Sequence, residues 1–393
     1  MEKKIVLAGA CRTAIGSMGG SLSNTSAVKL GSIVIKAAIK RAGLSPEQVE
    51  QVYMGNVIQA GQGQNPARQA AIKAGIPYTV PAVTVNVVCG SGLDSVNIAA
   101  RMILAGEADI VVAGGMENMS MAPYCLEQVR TGYRLGDGKL KDVMITDALW
   151  DAFNDYHMGI TAENIVERWE LTREELDDFA YKSQVRATQA QEHNIFANEI
   201  VPVEILSKKK AYLFDWDESP RKDASLEKMA KLKPAFKKDG VVTAANSSPI
   251  NDGAAAVVVM SQEKASELGV QPMGYWQAGC LAGVEPEIMG IGPVAATRKV
   301  LAKLNLSISD IDLVEANEAF ASQSLAVQRE LKIPDDRLNV NGGAIALGHP
   351  VGASGTRILV SLLHEMRRRK SRTGLATLCI GGGMGCAVVV TGN

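Results

Sequence analysis

Short, near-continuous apolar runs alternate with segments of helical period along most of the chain. The run I-V-L-A-G-A-C near the amino terminus, closed by Arg12, reads as a first strand. Farther on, T-V-N-V-V-C-G-S-G-L-D-S-V (84–96) is a β-branched run that reaches Cys89, turns through Gly90-Ser91-Gly92 and enters the helical segment N-I-A-A-R-M-I-L-A-G. The buried-strand pattern A-D-I-V-V-A-G-G then ends at Gly115. A second stretch repeats this order of events. It passes from N-V-N-G-G at Asn339 through G-A-S-G (352–355) into the helical T-R-I-L-V-S-L-L-H-E-M, and closes on the strand L-A-T-L-C-I-G-G-G (375–383). Strands that are apolar on both faces and alternate with helices predict an α/β architecture with covered sheets, and the repeat predicts two duplicated halves. Between the halves, from about Met119 to Gly240, helical E-x-x-R patterns, aromatics and charges take over, which predicts an inserted, mainly helical excursion.

The 393 residues are enough for two or three domains, and 47% hydrophobic with 21% charged residues is an ordinary globular balance. A net charge of −1 gives no global attraction to nucleic acid or an anionic membrane, so an acidic ligand has to be met by a local basic patch. One such stretch exists: Lys208 to Lys238 carries ten Lys/Arg against five Asp/Glu. No apolar run approaches a membrane span, and the amino-terminal run is too short for a secretory signal, so a cytoplasmic protein is expected. Six scattered cysteines without Cys-x-x-Cys spacing and four histidines argue against structural zinc. Neither a metal nor a cofactor is expected.

Cys89 lies where a Gly-flanked strand–turn–helix would expose a nucleophile at its apex, with the positive end of the helix facing it. That setting predicts a thiol lowered into the range of roughly 3.5–7.5. A buried structural cysteine is the plainer alternative. His349 in G-G-A-I-A-L-G-H-P-V-G-A-S-G is held between Gly348 and Pro350, which suits an imidazole presented into a cleft. Cys379 in T-L-C-I-G-G-G-M-G-C stands at the equivalent strand end of the second half. The glycines after it allow backbone N–H groups to approach a ligand oxygen. Asn317 and Glu318 are polar residues set into V-E-A-N-E-A-F-A and need partners if buried.

Together these blocks resemble the thiolase family, its biosynthetic acetyl-CoA acetyltransferases in particular. The resemblance extends over G-N-V-I-Q-A-G-x-G-Q-N-P-A-R-Q-A-A (55–71), G-G-M-E-N-M-S (114–120), Y-H-M-G-I-T-A-E-N (156–164), I-N-D-G-A-A-A (250–256) and P-E-I-M-G-I-G-P (286–293). It implies a duplicated, five-layered αβαβα fold: residues 1–118 with 250–270 as the amino-terminal half, 119–249 as a coenzyme A-binding loop domain with oligomer contacts, and 271–393 as the carboxy-terminal half. It also implies a homotetramer acting on acetyl-CoA, acetoacetyl-CoA and coenzyme A, the last as substrate or product rather than cofactor. By match, Cys89 would form an acetyl-enzyme with help from His349, and Cys379 would deprotonate a second acetyl-CoA. The backbone N–H groups of Cys89 and Gly381 would hold one oxyanion, and His349 with an Asn317-held water the enolate. Ser248 would contact pantetheine, His157 and Met158 would line its tunnel, Met289 would cap the acyl pocket, and Arg221 would meet phosphate.

The chain departs from the family pattern at Asp94, Pro249, Met384 and Cys386. Asp94 is expected to oppose thiolate formation at Cys89. A β-ketoacyl synthase would use a second histidine, or histidine with asparagine, where this chain offers Cys379. A dinucleotide-binding oxidoreductase would need a helix after C-I-G-G-G-M-G, whereas this chain continues A-V-V-V-T. A lipid-carrying relative without activity would be expected to lack one of the reactive residues. A degradative 3-ketoacyl-CoA thiolase of broader chain length stays open, as does the direction of the reaction.

Overall fold

A computed structural model describes residues 3–206 and 211–393 of the chain. Lys208–Lys210, the start of the basic stretch, lie outside the described residues. In the first half, β1 (Ile5–Thr13), β2 (Gln51–Gly55), β3 (Ala82–Val85), β4 (Ile110–Asn118) and β5 (Asn251–Ser261) form a sheet in the order β1-β5-β4-β2-β3. In the second, β6 (Gly274–Gly283), β7 (Leu313–Ala316), β8 (Thr373–Ile380) and β9 (Met384–Thr391) follow as β6-β9-β8-β7. A bridge from Val314 to Leu338 stands where β3 stands in the first half, so both halves wind alike. Their sheets are hydrogen-bonded through one shared edge, Ile5–Leu7 of β1 against Gly274–Trp276 of β6.

The helix α1 (Ala27–Arg41) covers the outer face of the first sheet. Between the sheets lie α2 (Ser91–Ala105), from the first half, and α7 (Val351–Arg369), from the second; each touches strands of both halves. On the far side α5 (Gly292–Leu304) packs on β6, β8 and β9, flanked by α6 (Ala321–Leu331). The layers are therefore α, β, α, β, α, the arrangement that the family resemblance implies. The central pair approaches closely because glycines meet: a Cβ on Gly355 would fall 2.4 Å from the Leu93 nitrogen, and one on Gly92 would fall 2.7 Å from Thr356 Oγ1. This crossing matters because Cys89 precedes α2 and His349 precedes α7, so both reactive side chains start from one end of the central layer.

Residues 119–250 leave the sheet after β4 and return to β5. Their two long helices are α3 (Met158–Arg168) and α4 (Arg173–Glu192), as the E-x-x-R patterns predict, with Thr172 and Glu175 closing a capping box on α4; a short helix spans Leu226–Ala230. The segment is less purely helical than its sequence suggests. Hairpins form at Tyr124–Leu126 with Leu140–Asp142 and at Val203–Leu206 with Ala211–Phe214, and Ile200–Val201 pairs with the end of β1. Such short strands carry too few alternating positions to stand out from helical surroundings.

Candidate active site

The β-branched run before Cys89 is strand only as far as Val85. Beyond it the chain turns, and Val88 adopts φ 45°, a left-handed conformation that a β-branched residue rarely takes. The Ser91 hydroxyl, which donates to Val88 O (2.6 Å) and accepts from Val87 N (2.9 Å), holds this elbow together. Strain of this kind costs about 1–3 kcal/mol and persists where the surroundings over-determine the backbone. Here it sets Cys89 immediately before α2, buried, with 6% of the residue exposed.

His349 is fixed from both sides. Its backbone N–H donates to Asn251 Oδ1 (2.9 Å), and Gly348 takes φ 115° against that same side chain. Its ring Nδ1 lies 2.6 Å from Ser354 Oγ, which also reaches Pro350 O at 2.9 Å. With the hydroxyl proton given to Pro350, Ser354 accepts from Nδ1–H and leaves Nε2 as the free acceptor of the ring. Asn317, 1% exposed, places Nδ2 3.5 Å from each ring nitrogen, too long for a strong bond to either. Its Oδ1 is buried with no protein partner. Glu318 secures this loop by accepting from Ser183 Oγ (2.7 Å), Asn339 Nδ2 (2.8 Å) and Ile345 N (3.1 Å).

Cys89, His349 and Cys379 open on one cleft of about 800 Å³. Its walls also hold Ser248, Met289, Met158, His157 and, toward the outside, Arg221. Gly381 stands behind the thiol rather than on the wall: its amide N–H points to the Cys89 sulfur, and a Cβ there would meet Met158 Cε at 2.2 Å. Eight of the ten candidate site residues thus line one space, with Asn317 beside the His349 ring and Gly381 beside the Cys89 sulfur. Sequence reasoning missed the aromatic side of that cleft. Phe236 stacks on His157 (4.8 Å, 18°) and meets Phe320 edge-on at 6.0 Å, while Gly159 leaves the ring its room. Only tertiary contact joins these rings. Asn251 and Ser354 lay within quoted motifs but carried no signal of a contact to His349. Among the described residues no cluster of three or more His, Cys, Asp or Glu could hold a metal ion.

The electrostatics reverse one expectation. Burial pushes the Cys89 thiol up to about 11, although the N–H groups of Gly381 and of Cys89 itself pull the other way. Desolvation outweighs the helix end because the thiol lies inside the protein, where an unpaired anion is costly. Glu117 adds its charge against the thiolate. Asp94, expected in that role, instead faces Arg101 at 3.8 Å and bears on Cys386. Cys379 is raised by burial and by the charge of Cys89, which sets the two sulfurs close together. His349 is lowered to about 3 by burial and by Arg357, so the imidazole is neutral at neutral pH and able to take a proton. Iodoacetamide alkylation of Cys89 in the unliganded protein should accordingly keep rising with pH toward 11; a plateau below pH 8 would contradict this assignment.

Comparison with known proteins agrees with this geometry. The family model described as thiolase, N-terminal domain matches residues 5–263, and that described as thiolase, C-terminal domain matches residues 270–392. An acetyl-CoA acetyltransferase of Chromobacterium violaceum is 57% identical, the match covering 98% of this chain and 99% of that protein. One from Escherichia coli is 54% identical over 99% of each. Among solved structures, the Bacillus anthracis acetyl-CoA acetyltransferase superposes with a TM-score of 0.98 at 46% identity, covering 100% of this chain and 99% of that one. Human mitochondrial 3-ketoacyl-CoA thiolase does so with 0.97 at 42%, with the same coverage. Matched along both halves and superposed along its whole length, the chain belongs to the thiolase family.

Proposed function

We propose that this chain is an acetyl-CoA C-acetyltransferase, condensing two acetyl-CoA to acetoacetyl-CoA and CoA and catalysing the reverse thiolysis. The observation that carries the reading is the meeting of Cys89, Cys379 and a neutral His349 in one cleft. In the first half-reaction His349 Nε2 takes the Cys89 proton, and the thiolate attacks the acetyl carbonyl. The N–H groups of Cys89 and Gly381 hold the oxyanion. CoA leaves with the proton of Cys379, so that a Cys379 thiolate faces a His349 imidazolium. In the second, Cys379 takes a proton from the methyl of a new acetyl-CoA. The imidazolium N–H and a water on the unpartnered Asn317 Oδ1 stabilise the enolate. Its carbon attacks the acetyl group, acetoacetyl-CoA departs, and Cys89 regains its proton from His349. Protons and bonds balance over the cycle.

Coenzyme A would enter between Ser248 and the His157–Phe236–Phe320 wall, with Met158 along the tunnel and Met289, 4% exposed, closing the acyl end. Arg221, whose backbone N–H is held by Gln184 Oε1 at 2.9 Å, supplies positive charge at the mouth for phosphate. We assign residues 1–118 with 250–270 and residues 271–393 to the two halves, and 119–249 to the loop domain. Turnover of acetoacetyl-CoA with steep loss as the acyl chain lengthens supports this reading. Equal turnover of long 3-ketoacyl-CoA would favour a degradative thiolase.

The assembly best supported is a cytoplasmic homotetramer, a dimer of dimers working in acyl-CoA metabolism. Two surfaces favour a second copy of the chain: the open edge strand β3, with Val83 exposed, and the hairpin region that exposes Tyr124, Leu135 and Leu140. No helix among the described residues is long and apolar enough to cross a membrane. Light scattering should return the mass of four chains; a monomer at working concentration would overturn the assembly.

A further inference from the structure

Glu117 takes no part in the chemistry above, yet the start of the His349 helix and the segment behind the Cys89 turn both converge on this carboxylate. The side chain is wholly buried near the end of β4. Oε2 accepts from Gly352 N (2.9 Å) and Val57 N (2.9 Å), and Oε1 accepts from Ile58 N (3.2 Å) and Asn56 Nδ2 (2.8 Å). Gly352 lies in the first turn of α7, just beyond His349 and Pro350. Residues 56–58 back the Cys89 turn: Asn56 N donates to Val85 O, and Val57 and Ile58 pack in the same apolar cluster as Cys89. The junction has no slack. A Cβ on Gly352 would lie 2.5 Å from Glu117 Oε2, and one on Gly55 would lie 2.7 Å from both Gly352 O and Gly92 N. One carboxyl group therefore ties the start of the His349 helix to the support of the nucleophile; burial pushes its pKa up to about 7, while the N–H groups of Val57, Ile58 and Gly352 favour the ionised form that can accept all four donors together.

We propose that Glu117 is a positioning residue, its carboxylate setting the His349 helix against the Cys89 turn so that imidazole and thiol meet within reach of proton transfer. The role rests on the reading that Cys89 is acetylated with help from His349. Misplacement by about 1 Å can cost roughly a hundredfold in rate. In the Glu117→Gln variant, single-turnover acetylation of Cys89 is expected to slow about a hundredfold, with KM for acetyl-CoA within about twofold of the parent. Removing the negative charge beside the thiol should at the same time move its iodoacetamide curve to lower pH at an unchanged midpoint of thermal unfolding, whereas a loosened fold, which also hydrates the thiol, would lower that midpoint. Acetylation within about threefold of the parent would overturn the role, as would a slower rate matched by a raised KM and an unshifted curve. Should Glu117→Gln fail to fold, Asn56→Ala removes one of the four donors and keeps the carboxylate. It is expected to slow acetylation about tenfold at unchanged thermal stability, and an unchanged rate overturns the proposal. A parent protein that takes up no acetyl group at Cys89 overturns the functional reading and this role with it. A parent acetylated at Cys89 beside an equally fast E117Q variant overturns this role alone.

Discussion

The Cys89→Ala variant is expected to release no acetyl-CoA from acetoacetyl-CoA and CoA, with activity in both directions reduced at least about 10⁴-fold. The size of the effect follows from the place of the sulfur. In the proposed cycle it is the covalent station of both half-reactions, with the elbow at Val88 beside it and the N–H of Gly381 directed at it. Alanine keeps the Cβ and removes a group of which little is exposed, so the fold should persist. Steady-state thiolysis checks this, and turnover within about tenfold of the parent would remove Cys89 from the role of nucleophile.

The Cys379→Ala variant should separate the two halves of the reaction. In the proposed cycle Cys379 moves a proton to or from carbon, and loss of a positioned acid–base group costs about 10²–10⁴-fold. Condensation is expected to fall toward the far end of that range, because in that cycle His349 already carries a proton when the carbon-bound proton has to leave. Transfer of acetyl to Cys89 should still occur, although more slowly, with CoA leaving as the thiolate or taking a proton from His349. Rapid-quench measurement of acetyl-enzyme beside steady-state condensation distinguishes the steps. Equal loss of both would mean that the two sulfurs act as one unit.

Much of this arrangement was legible along the chain because the chemistry sits at element ends, where glycine and proline mark the turns. Cys89 before Gly90, His349 between Gly348 and Pro350, and Cys379 at the end of a buried strand all lie where the turn signals put them. The duplicated order of strands also emerged from periodicity alone, since strands buried on both faces form uninterrupted apolar runs. What stayed hidden depends on burial or on distant contacts. The helix start after Cys89 suggested an acidic thiol, but enclosure decides the direction, and it comes from residues remote in sequence, such as Ile380 in the same apolar cluster and Met158 on the same cleft. Glu117 looked like one more polar letter in G-G-M-E-N-M-S; its partner Gly352 lies 235 residues away. The Phe236 wall and the Ser354 contact to His349 were hidden for the same reason, with no periodic pattern to announce them.

The central claim is that an enclosed, protonated thiol becomes the acyl carrier only when substrate and His349 meet it. Peptide mass mapping after brief exposure to acetyl-CoA, quenched in acid, tests this most directly. One acetyl group on the peptide containing Cys89, absent when His349 is replaced by alanine, is the predicted result. Stable acetyl on Cys379 or on a lysine with none on Cys89, or undiminished labelling of Cys89 without the imidazole, would contradict it.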